Sequence, residues 1–93
     1  MRYYLEFTTK FKKNYKKCQK RGLEMQYINL VIEKLQNGET LDKKYRDHLL
    51  KGRYAGYHEC HIQPDWLLVY KIQNDVLILT LVDTGSHADL FGL

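Results

Sequence analysis

The spacing of apolar residues changes along the chain and predicts the order of its elements. Residues 2–7 are rich in aromatic side chains and predict a first strand. A helix is then predicted from an N-cap at Thr8 or Thr9 to a stop at Gly22. Its apolar stripe has helical spacing and consists of Phe11, Tyr15 and Cys18.

A second amphipathic helix is predicted over about residues 24–36, and Asn37-Gly38 ends it. Its buried face is predicted to consist of Met25, Ile28, Val31, Ile32 and Leu35. The polar residues 38–53 that follow predict irregular structure.

Alternating apolar residues predict three strands in the second half of the chain, over residues 54–62, 66–72 and 76–83. The turns between them fall at Pro64-Asp65 and Asn74-Asp75. Because these turns are short, consecutive strands should pair antiparallel.

The chain is predicted to end in a short helix over residues 87–91, because Ser86 and Asp89 fit the Ser-x-x-Asp capping pattern. The order βααβββα predicts a single α+β domain over residues 1–93. We expect an antiparallel sheet with two helices packed on one face and a short C-terminal helix.

Composition favours a small cytoplasmic protein. The 93 residues are 44% hydrophobic, and no apolar run reaches the roughly 18 residues that span a membrane. Residues 1–21 contain no apolar segment of the secretory type. We therefore expect Cys18 and Cys60 to be reduced thiols rather than a disulfide.

Positive charge is concentrated near the start of the chain. Residues 1–21 hold eight basic side chains and one acid, a net charge of +7, whereas the remaining seven basic and ten acidic side chains sum to −3. The lysines fall mostly off the apolar stripe of the first helix: Lys10, Lys12, Lys13, Lys16, Lys17 and Lys20. Such uncompensated charge favours a polyanionic partner, nucleic acid or an acidic protein, over a face kept basic for solubility.

Histidines and carboxylates provide candidate acid–base chemistry. Cleavage of RNA through its own 2′-hydroxyl needs a base for the 2′ proton, an acid for the leaving 5′ oxygen and a group that stabilises the phosphorane. Strand alternation places His61 on one face with Tyr57 and Glu59. His58 points the other way, whereas Asp65 lies in the turn just beyond His61.

Each of the other candidates also has a structural explanation. His87 falls in the first turn of the last helix, where the helix dipole disfavours a charged imidazole and attracts phosphate, but it can simply pack there. Asp65 is equally a turn residue, and Trp66 and Phe91 either stack on a nucleobase or belong to the core. With His48 included, the three histidines are spaced by 13 and 26 residues, unlike a zinc site, so no metal is expected.

Five segments carry a resemblance to a known family: His48-Leu-Leu-Lys-Gly52, Gly56-Tyr57, His61-Ile-Gln-Pro-Asp65-Trp66, Leu68-Val-Tyr70 and Thr84-Gly-Ser-His87-Ala-Asp-Leu-Phe91. Together they resemble the YafQ branch of the RelE/ParE toxin superfamily. The resemblance covers the whole chain in order. The block from His48 to Tyr70 and the C-terminal segment are its specific parts, whereas a basic first helix is typical of the wider superfamily.

The resemblance implies a RelE-like toxin of a bacterial type II toxin–antitoxin system that cuts mRNA in the 70S ribosome without a cofactor. It implies acid–base roles for His48, His61, Asp65 and His87. It also implies that Trp66 and Phe91 shape the mRNA pocket and that the basic helix binds ribosomal RNA. A cognate antitoxin would cover these surfaces, with the toxin alone a monomer and the complex of higher order.

The chain departs from the family at Asp83, where the best-known members carry an arginine that would stabilise the phosphorane. An aspartate cannot do so and could repel the phosphate. Lys51, Arg53 or Lys71 could substitute, and Arg53 is the first choice because guanidinium binds two phosphate oxygens at once.

Two other functions stay open at this point. A ParE-like toxin of the same superfamily inhibits DNA gyrase and cleaves nothing, but such a toxin has no need for this set of histidines. A non-enzymatic module that binds RNA or protein would depend only on the basic residues Lys12, Lys13, Lys16 and Lys17.

Overall fold

The computed structural model describes residues 2–92, in which five strands and three α-helices follow one another. They are β1 (Tyr4–Phe7), α1 (Thr9–Lys20), α2 (Met25–Gln36), β2 (His48–Leu49), β3 (His58–Gln63), β4 (Trp66–Gln73), β5 (Ile78–Gly85) and α3 (His87–Phe91). Two short 3₁₀ turns, Lys43–Tyr45 and Gly52–Tyr54, flank β2. The predicted α+β fold class is confirmed.

The strands form one sheet in the order β1-β5-β4-β3-β2. Strands β2 to β5 are antiparallel, as their short connections predict. Strand β1 corrects the prediction of a wholly antiparallel sheet, because it runs parallel to β5, with Tyr4 opposite Ile78 and Phe7 opposite Leu81. Hairpin turns set the direction of neighbouring strands, whereas β1 meets a partner more than 70 residues away.

The first strand of the hairpins begins later than predicted. The prediction placed it over residues 54–62, but the strand itself is His58–Gln63. The residues before it form the 3₁₀ turn Gly52–Tyr54 and a turn at Gly56, whose φ of 92° suits glycine. Within the segment predicted to be irregular, β2 pairs with β3 and adds an edge strand to the sheet.

The last strand also lies closer to the C-terminus than predicted, over Ile78–Gly85 rather than residues 76–83. The turn before it is wider than Asn74-Asp75 alone, and Leu77 within it has a φ of 54°. Strand β5 consequently ends immediately before the capping residue of α3, so the first residue of that helix lies directly at the edge of the sheet.

The sheet is covered on both faces. Helices α1 and α2 pack on one face through Phe11, Cys18, Ile28, Val31 and Leu35, against Cys60, Leu68, Tyr70, Leu79 and Leu81 of the strands. The opposite face is covered by α3, which contributes Leu90 to a cluster with Leu67 and Val69. This two-sided burial explains why β4 is an almost continuous apolar run.

Both predicted caps are present. Thr8, rather than Thr9, begins α1: its Oγ1 accepts from the Phe11 amide at 2.9 Å and donates to the Val82 carbonyl at 2.6 Å. Ser86 and Asp89 form the predicted capping box of α3. The caps therefore tie both helices to the end of β5.

The two cysteines are buried free thiols, as expected, and burial raises the pKa of Cys18 and of Cys60. Within residues 2–92, none of the helices has the length and apolar character needed to cross a membrane.

Candidate active site

A buried carboxylate, Glu59, joins two histidines on the face of the sheet that carries α3. Glu59 is 5% exposed. Its Oε1 lies 3.5 Å from Nε2 of His48 and 3.7 Å from Nε2 of His61. The strands create this arrangement, because His48 pairs with Glu59 across the β2–β3 ladder and His61 follows two residues later on the same face.

His48 has a hydrogen-bond partner at one ring nitrogen and a carboxylate near the other. Nδ1 lies 2.7 Å from the carbonyl oxygen of Arg46, and since a carbonyl only accepts, Nδ1 carries the hydrogen. Nε2 faces the Glu59 carboxylate. The ring is therefore held between a carbonyl and a carboxylate.

Asp65 and His87 form a second pair beside His61. One oxygen of Asp65 accepts from the His87 backbone amide at 3.0 Å and from its ring Nδ1 at 2.6 Å. These bonds hold the pKa of the Asp65 carboxyl below its usual value. With its hydrogen on Nδ1, a neutral His87 keeps Nε2 available to accept a proton.

His61 lies between the two pairs. Its ring centroid is 6.4 Å from that of His48 and 5.7 Å from that of His87. The four predicted acid–base residues therefore lie in one continuous row on the sheet surface. We call this set the histidine row: Asp65, His87, His61, Glu59 and His48.

Sequence reasoning missed Glu59, although strand alternation had placed it on the face of His61. One signal in the sequence could have found it: an acidic residue lies inside a predicted strand. Buried glutamates are rare unless they are paired, so such a residue indicates a partner nearby. The exclusion of His58 agrees with the structure: its ring stacks on Tyr70 at 4.9 Å, on the other face of the sheet.

The expected pocket role of Trp66 is not supported. Trp66 is 3% exposed, and its Nε1 donates to Thr84 Oγ1 at 3.1 Å within the core under α1 and α2. Its alternate neighbours Leu68 and Tyr70 are buried with it, so the ring has no exposed face for a nucleobase.

Phe91 is partly exposed and meets Tyr54 edge-on, with ring centroids 5.7 Å apart. This contact docks the 3₁₀ turn that carries Arg53 against α3. Lys51 and Arg53 are both exposed, and neither forms an ion pair within the described residues 2–92. Their side chains are therefore available for a ligand near the helix of His87.

Asp83, at the position of the family arginine, is buried and paired. Lys10 Nζ lies 3.3 Å from its Oδ2, and Asn14 Nδ2 donates to its Oδ1 at 2.6 Å. This pairing offsets the repulsion of phosphate expected from the sequence. Lys10, one of the predicted RNA-binding lysines, therefore pairs with an acid of β5, although its side chain stays 60% exposed.

The other lysines of α1 converge as predicted. Together with Thr9 they surround a shallow basin on the exposed side of the helix. We call this surface the basic face: Lys12, Lys13, Lys16, Lys17 and Lys20.

Helix α3 is clamped by a residue at the end of α1. Arg21 donates to both oxygens of Asp89, at 2.6 and 3.1 Å, and the Ser86 amide donates to the same carboxylate at 2.9 Å. These contacts hold the pKa of Asp89 well below its usual value. A Cβ at Gly85 would lie 2.9 Å from the Asp89 side chain, so only glycine leaves room for the clamp. The clamp fixes the helix that begins at His87.

Asp89→Ala should lower the free energy of unfolding by about 1–2 kcal/mol, because it removes one half of the capping box and the partner of Arg21. Folding lowers the pKa of Asp89, so its contribution is present above about pH 4 and is lost as the pH falls. Urea titrations between pH 3 and 7 should show a weaker acid dependence in the variant. Asp75→Ala, in the exposed hairpin turn, should not; equal stability of the two variants at pH 7 would contradict the clamp.

Comparison with known proteins agrees with this description. Residues 3–92 match the model of a family described as the bacterial toxin of type II toxin–antitoxin system, YafQ. The mRNA interferase toxin YafQ of Escherichia coli (strain K12) is 36% identical over 89 residues, which is 95% of each chain. A chain in the crystal structure of the E. coli DinJ-YafQ toxin–antitoxin complex is 34% identical, with a TM-score of 0.90 over 99% of this chain and 100% of that chain.

A metal-bound toxin from Helicobacter pylori is 40% identical, with a TM-score of 0.89 over 98% of this chain and 100% of its own. Fold and sequence thus define a RelE-like bacterial toxin. The chain belongs to the YafQ family of type II toxin–antitoxin toxins.

Proposed function

We propose that this toxin cuts mRNA on the ribosome by metal-independent acid–base catalysis, in which the RNA 2′-hydroxyl attacks the adjacent phosphate. Its class follows from its family and from a 36% identical relative named as an mRNA interferase toxin: it is an endoribonuclease. The histidine row is the observation that supports the chemistry. Gyrase inhibition or simple binding would leave this row without a role.

The hydrogen bonds of the row suggest how the proton roles are divided. His87 takes the 2′ proton through Nε2, while Asp65 keeps the opposite nitrogen protonated and compensates the imidazolium that forms. His48, held between a carbonyl and Glu59, is the proton donor to the leaving 5′ oxygen. The scissile phosphate then lies against His61, between the two.

A cation is still needed for the charge that develops on the phosphorane. We assign this role to Arg53, with Lys51 beside it. The contact of Tyr54 with Phe91 holds the 3₁₀ turn that carries Arg53 against α3. Neither Arg53 nor Lys51 forms an ion pair with an acid within the described part of the chain. Phe91 forms part of the same pocket wall.

The products test the proposed chemistry. Attack by the 2′-hydroxyl breaks the bond from phosphorus to the 5′ oxygen, so it leaves a 2′,3′-cyclic phosphate and a 5′-hydroxyl. Mapping the ends of cleaved mRNA in a translating extract should show these groups, and an mRNA with a 2′-deoxynucleotide at the cut site should stay intact. Ends with a 3′-hydroxyl, or cleavage of the deoxy substrate, would refute the mechanism.

Metal independence needs its own comparison, because a relative from H. pylori is described as metal-bound. The toxin is first treated with a chelator, and the chelator is then removed by dialysis. The treated toxin should cut ribosome-bound mRNA at the same rate as untreated toxin. Loss of activity that returns on adding a transition metal would contradict this part of the proposal.

The basic face is the proposed contact with ribosomal RNA. Changing Lys16 and Lys17 together to Gln should weaken association with ribosomes and reduce the slope of log affinity against log salt by about 1–2, since each phosphate contact releases counterions. Sedimentation of toxin with ribosomes at several salt concentrations measures both effects. Lys34→Gln on α2 is the control for charge alone, and an equal loss in that variant would argue against a specific face.

We further infer an antitoxin partner in the cytoplasm. A relative has been solved in a complex described as DinJ-YafQ toxin–antitoxin, which supports a protein inhibitor for this chain as well. The positive basic face suits an acidic segment of such a partner. We expect a monomeric toxin without it and a higher-order assembly with it.

A further inference from the structure

We propose that a cleft beside His61 is a subsite for one nucleotide of the mRNA next to the cut, with Arg46 and Lys44 binding its phosphate. The inference rests on the proposed cleavage of RNA. The cleft has a volume of about 370 Å³, at the lower end of the range of ligand sites. Its walls are formed by Tyr27, Lys44, Tyr45, Arg46, His61, Ile62, Gln63 and Pro64.

The chemistry of these walls matches a nucleotide. Lys44 and Arg46 supply two positive charges, and no carboxylate of residues 2–92 lines the cleft. Tyr27 and Tyr45 supply aromatic surface of the kind on which nucleobases stack in single-stranded nucleic acid, and Lys44 Nζ lies 5.2 Å from the centroid of the Tyr45 ring, so a base stacked there would take the place of this contact or use the other ring face. Because His61 belongs to both the cleft and the histidine row, a nucleotide seated here is next to the scissile phosphate.

The backbone that carries Arg46 is held rigidly. Its amide donates to the Lys43 carbonyl at 3.0 Å, its carbonyl binds Nδ1 of His48 at 2.7 Å, and its φ of 50° is unusual for a side chain larger than glycine. The next residue, Asp47, accepts from the buried Tyr70 hydroxyl at 2.6 Å. The loop is therefore tied to β2 at Arg46 and to β4 at Asp47.

The Arg46 guanidinium itself has no acidic partner among residues 2–92. A cation that is carried by an anchored backbone beside a proposed catalytic histidine, and that has no acidic partner within the described residues, is available to bind an anion. Contacts to phosphates of a bound strand position the substrate rather than stabilise the reacting charge. The cleft should accordingly affect mRNA affinity more than the rate of the chemical step.

The test is single-turnover cleavage of ribosome-bound mRNA over a range of toxin concentrations. For Arg46→Gln we expect the half-saturating concentration to rise about tenfold, the usual size of one charge-assisted hydrogen bond, and the rate at saturation to change less than twofold. Arg46→Lys should recover part of the loss because it keeps the charge but not the planar fork. Lys43→Gln, which removes a charge from the same turn but does not line the cleft, should match wild type.

A second variant tests the base-binding wall. Tyr45→Leu should raise the half-saturating concentration as well, and thermal melting of every variant confirms that it is folded. Arg53→Gln should instead lower the rate at saturation. This difference distinguishes the role of Arg53 from that of Arg46. An unchanged half-saturating concentration in Arg46→Gln, or a loss only in its saturating rate, would overturn the subsite.

Binding measured without cleavage separates this inference from the proposed function. Ribosomes carrying a 2′-deoxy mRNA should bind wild type about tenfold more tightly than Arg46→Gln. If the wild-type toxin did not cut mRNA, the catalytic proposal would fail. This binding measurement would still test the subsite, because it does not depend on cleavage. Equal binding of the two proteins would reject it.

Discussion

His87→Ala is expected to lower the single-turnover rate of mRNA cleavage by about 10²–10⁴-fold, the usual contribution of a positioned proton carrier. The substitution removes the ring that Asp65 orients at 2.6 Å and leaves the backbone hydrogen bond to Asp65 at 3.0 Å in place. The fold should consequently survive. Growth arrest on expression in bacteria should disappear in parallel with the rate.

The control is His58→Gln, a histidine substitution on the opposite face of the same sheet. It should leave the cleavage rate within a few-fold of wild type, because His58 packs on Tyr70 and does not reach the histidine row. If His87→Ala and His61→Ala both remain fully toxic, the acid–base mechanism is wrong.

Glu59→Gln is the second substitution with a large expected effect. The amide has the same shape but no charge, so the variant has no negative charge beside His48 and His61. We expect a loss of about 10²-fold in the rate at saturation, the size of effect that misplacement of reacting groups produces, with little change in the half-saturating concentration. Single-turnover kinetics measure the two quantities separately.

Two further variants distinguish positioning from simple structural support. Glu59→Asp keeps the charge and should recover part of the rate, whereas a residue needed only for packing would lose more as its side chain shortens. Glu33→Gln, an exposed glutamate on α2, should have no effect. If the rate of Glu59→Gln equals that of wild type while its stability falls, the carboxylate supports the fold only.

Local patterns predicted the elements that depend on neighbours in the chain. The stripe of Phe11, Tyr15 and Cys18 predicted α1, and its last residue and Phe11 are indeed buried against the sheet. The Ser86–Asp89 spacing predicted the cap of α3 together with its first residue. Strand alternation separated His58 from His61. In each case the responsible contacts span only a few residues.

The features that the sequence did not predict depend on contacts between residues that are distant in the chain. Nothing near Tyr4 indicates a parallel partner in β5, and the two residues of β2 are too few to show alternation. The salt bridge of Lys10 with Asp83 joins residues more than 70 positions apart, so no local pattern could show that this lysine has an acidic partner. For Trp66, strand alternation with Leu68 and Tyr70 favoured the core, and the helices packed above it bury the ring to 3% exposure.

The histidine row shows the same division. By itself, the sequence determined which proton carriers the chain holds, because histidine and aspartate bring their chemistry with them and the turn and cap patterns locate two of them. Only the tertiary structure decided that they meet, since Asp65 reaches His87 across 22 residues and Glu59 is brought between His48 and His61 by a ladder of two residues. Such contacts form only when strands distant in the chain pair, and the two residues of β2 are too few to define a register by their own pattern.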